Sequence, residues 1–267
     1  MVVVRLAGKY KYGTIYISKQ ITSGDNMNGL QELTNNGNTG TSNLSATELG
    51  DINIFIGING GGKSTLLRSI RHQILERRGN GRPTNQCTDL CMFNGTLDGD
   101  LINGGLNFSE VSDAWGMMIE RHPKMLKKAL DMVKAINPSV VDVTINEDDQ
   151  YLYATLVHGE CFGESMGSGF LAAVSIAAAM FYAAGGFLLI DDLGTGLHLD
   201  SADDIADYIV EAAQDTNTQV FVATHDPSML SALKNASDKT GAKRLLADVK
   251  SAYQLPNDTI DVKVLNF

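Results

Sequence analysis

Cysteine is scarce in this 267-residue chain, and several other features that would assign it to a specialised class are missing. Its three cysteines, Cys87, Cys91 and Cys161, are too few and too irregularly spaced for a disulfide framework, which fits a reducing, cytoplasmic setting. No second Cys or His pair stands at ligand spacing to turn Cys87 and Cys91 into a zinc site. Positive charge is in deficit. The 21 Lys and Arg against 31 Asp and Glu give a net charge of -10, which excludes indiscriminate wrapping of nucleic acid by the whole surface. The opening M-V-V-V-R-L lacks the basic lead and the apolar run of a secretory signal. No internal repeat and no coiled-coil pattern is present.

One long uncharged run does exist, the 26 residues from Ser165 to Ile190, and that length would cross a bilayer. Its composition argues otherwise. The run is rich in Ala and Gly, breaks at Gly185-Gly186, and ends in Phe187-Leu188-Leu189-Ile190 leading straight into Asp191-Asp192. It reads as a buried helix, a tight turn and a buried strand of a parallel sheet, with no membrane partner expected.

The chain is long enough, at 43% hydrophobic residues, to form one large α/β domain over 1–267. Short β-like segments at Val2 to Leu6 and Thr14 to Ser18 precede an Asn-, Gly-, Thr- and Ser-dense stretch, 22–48, that reads as a surface insertion. Residues 79–137 read as an irregular and helical lobe: a Gly- and Asn-rich piece from Gly79 to Asn107, then helices over Ser109 to Arg121 and Pro123 to Ile136. Val140 to Ile145 and Tyr151 to Val157 alternate as a hairpin about Asn146 to Gln150. Beyond them, helix Gly169 to Ala184, strand Phe187 to Asp191, helix Ala202 to Gln214, strand Gln219 to Ala223 and helix Pro227 to Asn235 alternate as in a mostly parallel sheet. Strands around Arg244 to Val249 and Thr259 to Val264 close the chain.

The eleven residues F-I-G-I-N-G-G-G-K-S-T, Phe55 to Thr65, carry the most chemistry. Gly57, Gly62, Lys63 and Ser64 match G-x-x-x-x-G-K-[ST], between a strand-like Asp51 to Phe55 and a helix-like run with Leu66, Leu67, Ile70 and Leu75 on one face. A triphosphate concentrates negative charge, and a helix N-terminus reached through a Gly-rich loop opposes it with converging amide groups. Gly60, Gly61 and Gly62 let the backbone approach, Lys63 can reach the β- and γ-phosphates, and the Ser64 hydroxyl can ligate magnesium. A plain strand-to-helix turn needs neither the lysine nor the hydroxyl. No N-K-x-D stretch is present to read guanine, so ATP is the expected nucleotide.

Two more strand ends fit that loop. Phe187 to Ile190 followed by Asp191-Asp192 places a carboxylate at the sheet edge, Asp191 for the magnesium ion and Asp192 to polarise an attacking water. Val220 to Ala223 followed by Thr224-His225-Asp226 brings His225 to the same edge, in reach of a γ-phosphate or its water. Between them, Gly163-Glu164-Ser165-Met166-Gly167-Ser168-Gly169-Phe170 leads into the Ala-rich helix, a second helix start able to hold an anion. One loop needs no second anion site, so this turn points to a nucleotide shared between two protomers. Basic residues also gather, Arg68, Arg71, Arg77, Arg78 and Arg82 after the loop and Arg121, Lys124, Lys127 and Lys128 later, and they keep DNA as a candidate partner.

In this order the motifs resemble those of an ABC-class ATPase, closest to the prokaryotic OLD-type AAA ATPases and related to SMC and RecF heads. The carrying stretches are N-I-F-I-G-I-N-G-G-G-K-S-T, M-G-S-G-F, F-L-L-I-D-D-L-G-T-G-L-H and Q-V-F-V-A-T-H-D. The resemblance implies a P-loop NTPase fold with an antiparallel β subdomain and a small helical lobe. It implies a phosphate loop over Asn59, Gly60, Gly61, Gly62, Lys63, Ser64 and Thr65, and a signature motif at Ser165, Gly167, Ser168 and Gly169. It implies a Walker B aspartate at Asp191, a D-loop-like turn at Leu193 to His198, and a switch histidine at His225. Two chains would then close head to tail on two ATP molecules as a homodimer. Asp192 stands where relatives carry glutamate, one methylene longer, so slow hydrolysis is expected. The signature departs from L-S-G-G-Q, and Gln86 is the nearest candidate for a Q-loop. The chain supplies no nuclease domain, so control of a separate effector protein, such as a nuclease in DNA repair or phage defence, is the leading expectation. A DNA-binding head with ATP as a clamp is the alternative, and a transporter subunit a weaker one.

Overall fold

The computed structural model describes residues 32–33, 47–67, 70–71, 87–91, 108–146, 148–195, 197, 199–251 and 260–265. β1 (Glu32–Leu33) and β2 (Thr47–Glu48) form a short antiparallel ladder. β3 (Ile52–Ile56) runs through the glycine loop into α1, which is helical at 63–67 and 70–71. β4 (Cys87–Cys91), α2 (Phe108–Arg121) and α3 (Pro123–Ile136) follow. Next come β5 (Val140–Ile145), β6 (Leu152–Leu156), β7 (Gly159–Phe162), a single 3-10 turn at Gly163–Ser165, and α4 (Ser168–Tyr182). The chain continues through β8 (Phe187–Asp191), α5 (Ala202–Thr216), β9 (Gln219–Thr224), α6 (Pro227–Thr240), β10 (Arg244–Ser251) and β11 (Ile260–Val264).

The main sheet has the order β11-β10-β3-β9-β8-β4, parallel throughout except for the β10–β11 pair. Side-chain alternation divides its core into two layers. Ile52 and Ile54, Leu188 and Ile190, and Val220 and Val222 face the helices α2 to α6. Phe55, Phe187, Leu189, Phe221 and Ala223 face the other side, where they meet Leu66, Leu67 and Ile70 of α1. The run from Ser165 to Ile190 is thus a helix, a turn in which Gly185 takes a φ of 74°, and a strand buried at every position. Among the described residues no helix is long and apolar enough to cross a membrane.

α4 is the central helix, with Ala172 through Met180 all buried, which its small side chains allow. Two hydrogen bonds fasten α2 to it, from Trp115 Nε1 to the Val174 carbonyl at 3.0 Å and from the Tyr182 hydroxyl to the Glu110 carbonyl at 3.1 Å. α2 and α3 share one core with α4 and α5, and are built into the body of the molecule. The β5–β6–β7 sheet is antiparallel and hangs on α2, where Leu152 N–H donates to Ser112 Oγ at 3.1 Å.

Several boundaries differ from those read in the sequence. The stretch from Gly79 to Asn107 contains β4, an outer strand of the main sheet, and β7 extends the expected hairpin by a third strand. α6 runs five residues beyond Asn235 and stops where Gly241 takes a left-handed φ of 71°. The segments Val2 to Leu6 and Thr14 to Ser18, Leu75, and most of the insertion lie outside the described residues.

Candidate functional site

The sheet's register brings three strand ends together. Phe55 stands opposite Ala223 and Ile56 opposite Thr224, while Ile190 stands opposite Val222. The glycine loop after β3, Asp191-Asp192 after β8 and His225 after β9 therefore leave the sheet at one edge, with β9 in the middle. Carboxyl ends of parallel strands are where such sheets bind ligands.

Within the loop, Gly57, Gly60 and Gly62 take φ values of 152°, 75° and 92°. A Cβ at Gly57 would come 2.3 Å from the Val249 carbonyl oxygen, so glycine is required there on space as well as on conformation. Gly61 N–H closes the loop on the Ile58 carbonyl at 2.9 Å, and Leu66 N–H closes the first turn of α1 on Gly62 at 2.9 Å. Lys63 is buried at the loop's centre, donating to the carbonyls of Gly57 at 2.8 Å and Ile58 at 2.9 Å. Asn59 and Gly60 are exposed, and Ser64 and Thr65 are half-buried in the first helical turn. The loop is a cradle of close backbone and one caged ammonium, which fits a polyphosphate with a hydroxyl at hand for its cation.

Asp191 is buried at the end of β8, beside the sheet edge that carries the loop, a fitting second ligand for that cation. Asp192 turns away from the strand through a left-handed φ of 57°, a conformation that aspartate tolerates better than most residues. Both of its carboxylate oxygens are engaged. Oδ1 meets His225 Nδ1 at 2.8 Å, and Oδ2 accepts from the Thr195 hydroxyl at 2.9 Å. The sequence placed Asp192 and His225 at one edge as separate candidates, and the structure joins them into a pair with the imidazole the more exposed member, 38% against 18%.

Residues outside the candidate set support this pair. Thr224 Oγ1 donates to the Leu193 carbonyl at 2.6 Å and accepts from Asp226 N–H at 3.1 Å, and Leu193 N–H donates to the Ala223 carbonyl at 3.0 Å. Asp226 caps α6 by accepting from Ser228 N–H at 2.8 Å. Gly194, with φ of 108°, lets the turn pass so close that a Cβ there would lie 3.0 Å from Asp226. The T-H-D-P run and the glycine after D-D-L were the available signals for these roles. Of the D-loop-like turn Leu193 to His198, residues 193–195 and 197 are described; His198 and Gly196 are not.

Ser165, Gly167, Ser168 and Gly169 stand on a different element, the start of α4. Ser165 ends the 3-10 turn, Gly167 is the N-cap, and Ser168 opens the helix, all three exposed. The turn is fixed from beneath. A Cβ at Gly163 would lie 2.7 Å from Leu152 and 2.8 Å from Phe108, and one at Gly169 would lie 3.2 Å from Ile136. Its neighbours are thus β6, α2 and α3.

The basic groups divide. Arg71 is half-buried, Arg121 pairs with Glu120 at 3.6 Å, and Lys128 bridges Glu211 at 2.9 Å and Asp215 at 2.8 Å. Burial works to lower the Lys128 pKa, and the hydrogen bonds to Asp215 and Glu211 outweigh it, so the net direction is upward. Lys128 braces α3 against α5, whereas Lys124 and Lys127 are exposed. Arg68, Arg77, Arg78, Arg82 and Gln86 fall outside the residues of which side chains are described.

Residues 124–231 match the family described as "AAA domain, putative AbiEii toxin, Type IV TA system", a span below half of the chain that includes the α4 turn, Asp191-Asp192 and His225. No curated protein sequence matches significantly. Among solved structures, an SMC head bound to the C-terminal winged-helix domain of ScpA superposes with a TM-score of 0.54 at 14% identity, covering 83% of this chain and 92% of that one. The SMC head domain from Thermotoga maritima gives 0.47 at 12% identity, covering 84% and 94%. The ATP-binding subunit of an ABC transporter gives 0.43 at 14%, covering 77% and 78%. On the first of these, the chain has the P-loop NTPase fold of an SMC head.

Proposed function

We propose that this chain is an ATP-binding, slowly hydrolysing ATPase of the ABC class, in which two copies close head to tail on two nucleotides and thereby switch a separate effector protein. The observation that carries the reading is the shared sheet edge, where the loop caging Lys63 and the Asp192–His225 pair at 2.8 Å flank the central strand β9. Lys63 exchanges its bonds to the Gly57 and Ile58 carbonyls for phosphate oxygens. Ser64 and Asp191 would hold magnesium, which would supply neutralisation of the phosphate charge.

Asp192 holds His225 through Nδ1, which leaves Nε2 as the ring nitrogen open to a phosphate oxygen or to the attacking water. Asp192 is one methylene shorter than glutamate and both of its oxygens are already bonded within the chain, so turnover is slow. The turn Ser165 to Gly169, carried by α4, serves the nucleotide of the facing copy, with its exposed Ser165 and Ser168 as the groups that meet the γ-phosphate. The matched family's description as a toxin supports an effector in a toxin-based or defence system.

The test is nucleotide titration and steady-state turnover of the wild-type chain beside Lys63→Ala. Tight ATP binding with low turnover in the wild type, with binding weakened and turnover lost in the variant, is the expected result. Binding that is absent, or indifferent to Lys63, removes the reading.

A further inference from the structure

Thr224 ends β9 with no exposed surface, one residue ahead of His225. Its single hydroxyl is shared between two turns. It donates at 2.6 Å to the carbonyl of Leu193, the residue after Asp192, and accepts at 3.1 Å from the amide of Asp226, the residue after His225. The two members of the Asp192–His225 pair are thus each one residue away from a group that the same oxygen holds.

We infer that Thr224 is a positioning residue for the Asp192–His225 pair, acting through its hydroxyl as a clasp between the turn after β8 and the turn after β9. The inference rests on the function proposed above for that pair. The clasp has work to do because neither turn is held by regular sheet pairing at that point. Asp192 is in a left-handed conformation with φ of 57°, and Gly194 with φ of 108° follows two residues later. Beyond Ile190 and Val222, the last paired residues of β8 and β9, the gap is crossed by the Leu193 N–H bond to Ala223, the Thr224 hydroxyl bond, and the pair itself.

Removing the hydroxyl while keeping the shape leaves the buried Leu193 carbonyl without its 2.6 Å donor and the half-buried Asp226 amide without its acceptor, and groups deprived of a partner move to find one. Movement by either turn separates Asp192 from His225. Displacement on the order of 1 Å at such a site costs roughly a hundred-fold in rate.

The experiment compares the full-length wild-type chain with Thr224→Val and Thr224→Ser. Two readouts are taken: kcat and KM for ATP, and the 15N–1H signal of the His225 Nδ1 proton in ligand-free protein, assigned with His225→Ala. Thr224→Val is expected to lower kcat by about ten- to a hundred-fold with KM unchanged, and to lose or broaden the Nδ1 signal. Thr224→Ser is expected to restore both. Folded Thr224→Val with wild-type kcat or an undisturbed Nδ1 signal overturns the inference, as does failure of serine to rescue. Should valine prevent folding, Thr224→Cys keeps the volume with a weaker donor and is held to the same two outcomes. If the wild-type chain neither binds nor hydrolyses ATP, the proposed function fails, and the imidazole signal still judges the clasp.

Discussion

Lys63 Nζ lies 2.8 Å from the Gly57 carbonyl oxygen and 2.9 Å from that of Ile58, so the one cation of the phosphate loop is caged by the loop's own backbone. The two carbonyls satisfy a buried ammonium, and in the function proposed above phosphate oxygens take their place. Lys63→Ala is expected to weaken ATP binding by about ten- to a hundred-fold, the range of one charge-assisted hydrogen-bond set. Titration with a fluorescent ATP analogue checks it, and an unchanged Kd would contradict the role given to Lys63.

The missing methylene at Asp192 has a direct test in Asp192→Glu. If the short side chain limits turnover, kcat rises by at least about ten-fold while ATP affinity stays constant. The longer residue is less at ease at a φ of 57°, so a stability loss of about 1 kcal/mol should accompany the gain. A kcat that stays flat or falls in the folded variant shows that the shortness of Asp192 does not set the rate.

At the opposite edge of the sheet, Asn53 is fully buried, and its amide completes a set of bonds behind the loop strand. Oδ1 accepts from Gly50 N–H at 2.9 Å, and Nδ2 donates to the carbonyls of Gly50 at 2.9 Å and Val220 at 3.1 Å. Asn53→Leu, of similar size, strips partners from these groups and should cost about 2 kcal/mol or more. Urea denaturation should show a lower midpoint with an unchanged slope.

Tyr208 poses the reverse case. It is buried on α5, its hydroxyl finds no hydrogen-bond partner among the described residues, and burial pushes its pKa upward. A raised folded pKa favours the neutral phenol in the native state. Its contribution is fully present below the unfolded value of about 10 and is lost as pH rises through the folded pKa. Tyr208→Phe should leave stability at pH 7 unchanged or slightly higher, and should flatten the decline above pH 10. A large destabilisation at pH 7 would reveal a partner for the hydroxyl.

The elements that were legible in the sequence are those whose burial pattern is periodic. Phe187–Asp191 and Pro123–Ile136 are found where the pattern puts them, because a strand buried on both faces and a helix with Pro at its first position leave little choice. β4 was not legible: C-T-D-L-C sets a carboxylate among short apolar residues, and its strand state comes from pairing with β8. β7, G-E-C-F, likewise gains its structure from β6. For the site, residue types and sheet edge were readable from G-K-S-T, D-D and T-H-D. The Asp192–His225 contact was not, since it depends on a left-handed residue and on the passage of Gly194 beside Asp226, neither of which has a periodic signature.

ATP-driven closure of two chains is the central claim, and trapping it is the sharpest measurement. Asp192→Asn keeps the size of the side chain and its tolerance of a left-handed φ while removing the carboxylate, so the variant should bind ATP, fail to turn it over, and stay closed. Mass by light scattering or native mass spectrometry, with and without ATP, should show a monomer becoming a dimer that persists in Asp192→Asn and dissociates in the wild type as ATP is consumed. A folded Asp192→Asn that binds ATP yet remains a monomer at every nucleotide concentration would contradict the account.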